Sequence, residues 1–483
     1  MTTIRIGSRI LVPHITAQVG VARRDITPPV GIRARNWGAA DWDVSEGIHR
    51  PMTLTTLAVT SGKESTQLLI AIDGGGWRRV DDEWKVRGRV LDALGLAPEQ
   101  LLIALSHTHS GPTFCSADAE LPGGELIPAY LESLAEAAID AAREALANRR
   151  PGLIEWVVGR CSLASNRELD LEGRALVGFN PDGIADDTVM VGRVSSQDGE
   201  VVGTVVNYAC HPTTLAWDNR LISPDYVGAM RVLVEAETGA PCLFLQGASG
   251  ELAPREQYSG DVEVADRHGR ALGHAVLAAL DGMPLPGTEL ELMGAVESGA
   301  PLAIWRGSPF AKELSARAVA GFVELHVVDL PSIEELTQRW AGIDEHVREE
   351  RLARARNQRD GRTVSSSTVQ FPVWAWRWGD AIIVGQPGEA YSRFQHTLRD
   401  RFPDHPIVVI NLANGPGFGY LPTQDAYDRG AYQAWQTMLV AGSLDRLEDY
   451  ATSLIRTLLD EAPSLLASSV ENPNTAKGRV PQS

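Results

Sequence analysis

The segment Leu101-Leu-Ile-Ala-Leu-Ser-His107-Thr-His109-Ser-Gly-Pro112 joins an apolar run directly to two histidines and a turn. The apolar run has the length of a buried β-strand, and Gly-Pro marks the turn. In an extended segment residues i and i+2 point to the same side, so both imidazoles can face one point. Neutral imidazole is a common zinc ligand. Two ordinary polar residues at a strand end are the alternative, but the position after a buried strand favours metal binding.

Two further apolar strands also end in a potential metal ligand. Val205–Cys210 runs directly into His211, and Ala381–Gly385 is followed by Gln-Pro-Gly and then Glu389. Taken alone, His211 is better explained as a structural histidine, and Glu389 as an acid favoured by a helix N-terminus. Open α/β sheets bind ligands at the carboxyl ends of their strands. The three strand ends together therefore predict one shared site.

Short β-branched runs alternate with helical patterns along the chain. The predicted strands are Leu68–Asp73, Leu101–Ser106, Thr188–Val194, Val201–Cys210, Cys242–Gln246, Ala381–Gly385 and Ile407–Leu412. The predicted helices are Leu131–Ala145, Val264–Leu280, Ser332–Asn357 and Leu444–Leu459. This alternation predicts an α/β fold with a mixed β-sheet core flanked by helices. We expect a single domain over residues 15–467, with a helical insertion at about 286–365 and a disordered tail at 468–483.

Composition narrows the class of protein. The chain has 483 residues, 44% of them hydrophobic and 22% charged, with a formal net charge of −18. Nucleic acid is not expected as a partner because a duplex requires a basic face. The four cysteines lack zinc-knuckle or CxxC spacing, which argues against a cysteine-based metal site. The chain start is too interrupted for a signal peptide, and no run approaches the ~20 apolar residues of a membrane span. We therefore expect a soluble cytoplasmic protein.

Two other classes of enzyme that contain His-x-His match this chain poorly. The metallo-β-lactamase pattern continues as HxHxDH, whereas this chain reads HTHSGP after Ser106. The amidohydrolase barrels require further histidines and a late aspartate at strand ends, within eight regular βα units. The remaining histidines do not fit that pattern, since His268 and His274 lie in a predicted helix. Both classes are set aside.

Several motifs follow one another in a fixed order along the chain. They are His107-Thr-His-Ser-Gly-Pro112, Asn166-Arg167, Cys210-His211-Pro212, Ser223-Pro-Asp225, Gln246-Gly-Ala-Ser-Gly250, Pro387-Gly-Glu389, and Gly419-Tyr420 followed by Tyr427 and Tyr432. In this order they resemble the neutral/alkaline (non-lysosomal) ceramidases, which are zinc amidases that cleave the N-acyl bond of ceramide. The resemblance covers the N-terminal catalytic domain of that family, over roughly residues 15–460.

The resemblance implies one Zn²⁺ per chain and a role for each matching residue. The residues that match zinc ligands are His107, His211, Glu389 and Tyr420. The residues that match other active-site groups are His109, a second histidine, and Arg167 and Tyr432, which lie around the scissile carbonyl. Asp73, which matches an acidic position of the family, and Asp225 are candidates to orient a ligand histidine, although either would equally cap a turn.

This set of residues is chemically coherent. Two imidazoles, a carboxylate and a phenol oxygen form a nitrogen and oxygen ligand set suited to zinc, with one position left for water. Zinc lowers the pKa of a bound water from 15.7 to about 7. Arg167 or Tyr432 would stabilise the developing oxyanion, and His109 would carry a proton to the leaving nitrogen.

Two departures from the family narrow the expected substrate. Ceramidases carry a serine in a Gly-Asp-x-Ser-Pro-Asn segment near the metal, whereas this chain reads Gly250-Glu-Leu-Ala253-Pro-Arg255. Alanine therefore replaces the serine, and Arg255 adds a cation nearby. Family ceramidases also continue into a C-terminal β-sandwich and usually carry a secretion signal, and neither is expected here. We therefore expect a membrane lipid to be a poor substrate.

The sequence predicts a zinc-dependent hydrolase that cleaves an amide C–N bond of a small soluble substrate through a metal-activated water. The substrate is N-acylated or bears a carboxylate, which Arg255 or Arg167 would bind in a bidentate pair. The alternatives are an esterase or lactonase, a true ceramidase, a non-catalytic protein that retains the metal, and another zinc enzyme such as a deaminase. The expected partner is a small molecule, without nucleic acid or a stable membrane association, and a homo-oligomer is left open.

Overall fold

Two β-sheets packed face to face form the centre of the structure, a computed structural model that describes residues 4–62, 65–310, 315–360 and 367–459. The strands are β1 (Arg9–Ile10), β2 (His14–Asp25), β3 (Gly47–Ile48), β4 (Thr53–Ser61), β5 (Ser65–Ile72), β6 (Leu101–Leu105), β7 (Arg150–Arg160), β8 (Ala164–Asn166), β9 (Glu168–Leu171), β10 (Arg174–Val177), β11 (Thr188–Ser196), β12 (Val201–Tyr208), β13 (Leu221–Ile222), β14 (Cys242–Gln246), β15 (Leu252–Pro254), β16 (Thr288–Glu297), β17 (Pro301–Pro309), β18 (Ala316–His326), β19 (Thr368–Trp378), β20 (Ala381–Gly385), β21 (Glu389–Ala390), β22 (Ile407–Ile410) and β23 (Tyr420–Leu421). The helices are α1 (Val80–Leu94), α2 (Ile127–Ala147), α3 (Tyr226–Thr238), α4 (Val262–Asp281), α5 (Ile333–Arg339), α6 (Glu345–Asp360), α7 (Arg393–Arg401), α8 (Gln424–Asp428), α9 (Tyr432–Gln436) and α10 (Ser443–Leu459).

The larger sheet has eight strands in the order β14-β12-β11-β7-β2-β4-β5-β6. The pairs β12–β14 and β5–β6 are parallel, and the other pairs are antiparallel. The smaller sheet has the order β18-β19-β20-β22, and only its pair β20–β22 is parallel. The α/β fold with a mixed sheet core is therefore confirmed.

Four layers bury the apolar side chains on both faces of each sheet. The space between the sheets holds a tryptophan-rich cluster that includes Trp156, Trp374 and Trp376. Helices α1 and α2 cover the outer face of the larger sheet near β5 and β6, and α3 and α4 cover it near β12 and β14. Helices α7 and α10 cover the outer face of the smaller sheet. Each strand of the central region is thus buried on both faces, which explains its continuous apolar sequence.

Strands β6 and β14 lie at opposite edges of the larger sheet, yet they contact each other. The chain that follows β22 joins the two edges. The amide of Asn411 donates to the carbonyl of Gln246 at 2.9 Å. The side chain of Asn414 accepts from the Ile103 amide at 2.8 Å and donates to the Leu101 carbonyl at 2.7 Å. The strand ends that carry the candidate ligands are therefore brought to one place.

The region predicted as a helical insertion at 286–365 is more varied than the sequence indicated. Strands β16 and β17 form a hairpin that pairs with β1, and β18 is part of the smaller sheet. The helix predicted over Ser332–Asn357 is two helices, α5 and α6, since residues 340–344 include a glycine and leave the helical conformation. The tail predicted at 468–483 lies outside the described residues. No described helix is long and apolar enough to cross a bilayer.

Candidate metal centre

His107 lies two residues beyond β6 in a left-handed backbone conformation, with φ of 69°. A non-glycine residue is strained in this region, so its surroundings must hold it there. The carbonyl of Gly74 accepts from the His107 amide at 2.7 Å, and the carbonyl of Gly75 accepts from its Nδ1 at 2.5 Å. The extended geometry expected for the His-x-His pair is therefore wrong, but both rings still face the same space, with centroids 4.9 Å apart for His107 and His109.

His211 follows β12 and is completely buried. The Ser249 carbonyl accepts from its Nδ1 at 2.7 Å, and Gln246 donates to the Ser249 hydroxyl at 2.6 Å. The Gln246-Gly-Ala-Ser-Gly250 motif thus supports the histidine from behind. Burial, together with the nearby guanidinium of Arg167, lowers the pKa of His211 to about 3. The ring is consequently neutral at physiological pH.

Glu389 and Tyr420 are neighbours because β21 and β23 pair in parallel with these two residues in register. Glu389 Oε2 lies 3.3 Å from Nε2 of His107 and 3.0 Å from Nε2 of His211. The structure therefore places a carboxylate against two imidazoles.

The donor atoms of this group suit a cation. A backbone carbonyl only accepts, so Nδ1 of His107 and of His211 must carry the hydrogen, and each Nε2 then presents a lone pair. The two Nε2 atoms are 3.0 Å apart, beside the Glu389 oxygen. Such crowding of acceptors is unfavourable unless a positive charge lies among them. These residues therefore fit a metal ion.

His109 extends the group. The ligand atoms of His107, His109 and His211 all lie within 4.8 Å of one another. Nε2 of His109 is buried and has no hydrogen-bond partner among the described residues. Burial, with the two neighbouring histidines, holds the pKa of His109 well below its usual value. The three histidines could hold a metal, and His109 also has room to act on a substrate because it lines the adjoining cavity.

Arg167 lies behind the candidate ligands. Its Nη2 donates to the Gly250 carbonyl at 2.8 Å, and lies 3.2 Å from the Tyr420 hydroxyl and 3.1 Å from Nε2 of His211. It is 3% exposed and is not among the residues that line the cavity. Burial and Glu389 raise the pKa of Tyr420 well above its usual value despite this arginine. In this position Arg167 orients Tyr420 and His211 and is not placed to bind a substrate carboxylate.

The candidate ligands border a cavity of about 180 Å³. Tyr432 lines it, and the ring centroids of Tyr432 and Tyr420 are 5.9 Å apart. The wall also contains polar side chains from distant segments that sequence reasoning missed. They are Asn36, Arg78, Thr113, Arg354, Asn357 and Gln436. No spacing in the sequence pointed to them, because they lie on segments that are far apart along the chain.

The expected role of Arg255 is not supported by the structure. Its side chain is exposed and lies over the ring of Phe179, at 5.7 Å from the centroid, and it does not line the cavity. Ala253, at the position of the family serine, is fully buried in β15, where it pairs with Ser165. Arg255 is therefore close to Ala253 in sequence, but its side chain lies outside the site.

Asp73 and Asp225 do not orient a histidine, contrary to the sequence-based interpretation. Both oxygens of Asp73 accept from Arg231, at 2.8 and 2.9 Å, and one also accepts from the Thr53 amide. Asp225 caps α3, accepting from the amides of Tyr226 at 2.6 Å and Leu215 at 2.9 Å. Backbone carbonyls orient the histidines in their place. Each carboxylate has another partner. Asp73 binds the buried guanidinium of Arg231, and Asp225 accepts from a free amide at the start of α3.

Asp73→Asn is expected to destabilise the fold by about 3–5 kcal/mol, because it leaves the buried Arg231 without its charge partner. Metal content per folded molecule should not change. Urea unfolding and elemental analysis measure the two effects. Asp187→Asn is the control, since Asp187 pairs with Arg160 at the surface and such a pair contributes about 0–1 kcal/mol. A 10–100-fold loss of metal affinity in Asp73→Asn would restore the orienting role.

Comparisons with known proteins bear on the fold. No protein-family model matches the chain. No curated protein matches it either. The crystal structure of neutral ceramidase from Pseudomonas aeruginosa aligns with 95% of this chain and 77% of that chain, at 17% identity and a TM-score of 0.66. A structure described as ceramidase complexed with C2 aligns with 95% of this chain and 78% of that chain, at 16% identity and a TM-score of 0.64. The chain therefore has a neutral-ceramidase-like fold.

Proposed function

We propose that this protein is a zinc-dependent hydrolase that cleaves an amide C–N bond in a small, water-soluble substrate. The observation that carries the proposal is the convergence of His107, His211 and Glu389 at the wall of one cavity. The neutral-ceramidase-like fold supports an amidase over other zinc hydrolases, since two solved structures that share this fold are ceramidases. Tyr420 completes the proposed ligand set.

A zinc ion held by these four residues would lower the pKa of a water ligand from 15.7 to about 7 and so supply a nucleophile near neutral pH. His107 and His211 are oriented for this task by carbonyls that accept from their Nδ1 atoms. Arg167 holds Tyr420 and His211 in place. The chain's contribution is a rigid, largely buried donor set.

Two cavity residues are placed to act on the substrate itself. Nη1 of Arg354 donates to the hydroxyl oxygen of Tyr432 at 3.2 Å, so the phenol keeps its own O–H to donate. That O–H would stabilise negative charge on the scissile carbonyl oxygen. His109 lines the same cavity beside His107, and its lowered pKa leaves the ring neutral. It would therefore first accept the proton that the attacking water loses and then pass it to the leaving nitrogen.

The size and wall of the cavity favour a small substrate. Pockets for drug-sized ligands measure about 300–1,000 Å³, whereas this cavity measures about 180 Å³. The wall carries Trp77 and Leu412 together with arginine, asparagine and glutamine side chains, so it offers hydrogen-bond partners to a polar amide as well as a short apolar contact. A short polar amide therefore fits better than a two-chain lipid.

Direct attack by water is expected, without a covalent acyl-enzyme. Neither serine nor cysteine is among the described residues that line the cavity. In a single turnover in ¹⁸O-water, with short N-acyl amides as substrates, the product acid should carry one ¹⁸O, and the acid-quenched protein should show no mass increase. Label in the product acid shows that a water oxygen attacked the acyl carbon, and the absence of a mass increase in protein quenched during the turnover argues against an acyl-enzyme that accumulates. Chelation should abolish the reaction, and added Zn²⁺ should restore it.

Three outcomes would contradict the proposal. An acyl adduct on any side chain would overturn direct attack by water. Full activity after complete removal of metal would overturn metal dependence. Cleavage of the matched esters with no cleavage of any amide would replace the amidase by an esterase.

A further inference from the structure

Helix α6 covers one side of the cavity and places Arg354 and Asn357 in its wall. Two contacts fix the helix to the rest of the protein. Arg35 donates to the carbonyl of His346 near the start of the helix at 3.1 Å, and Gln358 near its end donates to the carbonyl of Gln436 at 2.9 Å. The helix is therefore built into the site.

The charges on this side of the cavity do not cancel. Arg354 and Arg78 both line the cavity and share one carboxylate, that of Glu350. Nε of Arg354 is 2.7 Å from Glu350 Oε1, and Nη1 of Arg78 is 3.9 Å from the same oxygen. Burial would raise the pKa of Glu350, but the two arginines hold it below its usual value, so it is ionised. Two guanidinium groups against one carboxylate leave one net positive charge.

Among the described residues, no acidic group other than Glu350 forms an ion pair with Arg354 or Arg78. Behind the wall, Arg33 and Arg35 share the single carboxylate of Asp43, at 2.7 and 3.6 Å. Among the described residues that line the cavity, Glu389 is the one carboxylate, and it faces His107 and His211. The α6 side of the cavity thus presents an excess of positive charge where water is partly excluded, which strengthens its attraction for an anion.

Arg354 retains hydrogen atoms for a ligand. Its Nη1 donates to Tyr432 and its Nη2 donates to the Asn36 carbonyl, both at 3.2 Å. Each of these nitrogens carries a second N–H, and no described residue accepts a hydrogen bond from it. The side chain is 29% exposed, so it is accessible from the cavity. A guanidinium with two such N–H groups matches the geometry of a carboxylate.

We propose that Arg354 and Arg78 form a carboxylate-binding subsite, so that the preferred substrate is a short amide with a carboxylate on one side of the scissile bond, as in an N-acyl amino acid. This inference rests on the proposed function for the bond that is cleaved. It moves anion recognition from the exposed Arg255 to helix α6. One net positive charge matches one carboxylate.

Equilibrium binding tests the subsite without requiring catalysis. The probes are 4-oxopentanoate, which has the skeleton of N-acetylglycine with CH₂ in place of NH and cannot be hydrolysed as an amide, and hexane-2,5-dione, its neutral match with an acetyl group in place of the carboxylate. Calorimetry on the metal-loaded protein should give an affinity for the carboxylate about 10- to 100-fold higher than for the dione. Arg354→Gln should remove most of this preference, and Arg78→Gln should reduce it. Arg356→Gln, an exposed position on the same helix, is the matched control and should keep it.

The metal content and melting temperature of each variant show whether it is folded. If Arg354→Gln does not fold, the comparison is made with Arg78→Gln. Equal affinity of the unaltered protein for the two probes would overturn the subsite. So would a preference that persists in both variants, since the carboxylate would then bind the metal directly. If the preference depends on Arg354 but no amide is cleaved, the subsite stands and the proposed function fails. If amides are cleaved without any preference for a carboxylate, the proposed function stands and the subsite fails.

Discussion

His211→Ala should purify with almost no tightly bound metal and with amide hydrolysis reduced in proportion. His211 is fully buried, and its Nε2 lies 3.0 Å from both the His107 Nε2 and the Glu389 oxygen, so alanine removes one of the central donors. Loss of a group that merely supports a ligand costs about 10–100-fold in metal affinity. Loss of the ligand itself should cost more. Elemental analysis after dialysis, and hydrolysis of a short N-acyl amide, measure the two effects.

His268→Ala is the matched control for this variant. His268 is a largely buried histidine on α4 that bonds the Thr214 hydroxyl at 3.0 Å and is not part of the donor group. It should keep its metal and its activity, apart from a modest loss of stability. A His211→Ala protein with full metal content would show that the ligand assignment is wrong.

Long-chain ceramide in detergent micelles should be cleaved with a kcat/KM at least about 100-fold below that of the best short carboxylate-bearing amide. The cavity of about 180 Å³ with Arg354 and Arg78 in its wall suits a small anion, and it is smaller than the roughly 300–1,000 Å³ of pockets that hold drug-sized ligands. The formal charge of −18 also works against binding to anionic membranes.

A short-chain, water-soluble ceramide separates the two causes of this preference. It keeps the amide and the headgroup but removes the long chains and the micelle. If it is cleaved as slowly as the long-chain lipid, the missing carboxylate explains the preference. If it is cleaved as fast as the anionic amide, chain length explains it. Faster cleavage of long-chain ceramide than of every short amide would mean that the protein is a ceramidase in activity as well as in fold.

The local sequence pattern was sufficient to predict those site residues that closely follow a buried strand. Val205–Cys210 and Ala381–Gly385 are apolar because they are buried on both faces. The polar residue that follows such a strand lies at the carboxyl end of the sheet, where ligands bind. His211 and Glu389 could therefore be found from the strands that precede them. The strand pairing that sets Tyr420 beside Glu389 joins distant segments, so only the family resemblance indicated it.

The errors arose where distant residues compete for a side chain. Asp73 was placed beside the histidines because it ends a strand, but Arg231 on α3 takes both of its oxygens. Arg255 was chosen because it lies close to Ala253 in sequence, whereas Arg354 reaches the cavity from a helix far along the chain. No periodicity encodes such contacts, since they depend on how separate elements pack. The predicted helix Ser332–Asn357 did not include the break at residues 340–344, because Ser332 and Glu335 form a capping box that marks where α5 begins and not where it ends.

The meeting of β6 and β14 has a consequence for the order of folding. Asn414 bonds Ile103 across 311 residues of sequence, and His107 faces Glu389 across 282. Closing such long loops costs entropy, and contacts between distant segments form slowly. The donor group can therefore assemble only after most of the chain is in place. A metal ion bound there, as proposed, would act as a non-covalent cross-link between these distant segments. Because it binds the native chain and not the separated segments, it would add about 2.7 kcal/mol to the stability at a free concentration of 100 times its Kd. Metal retention is thus a readout of the last step of folding as much as of chemistry.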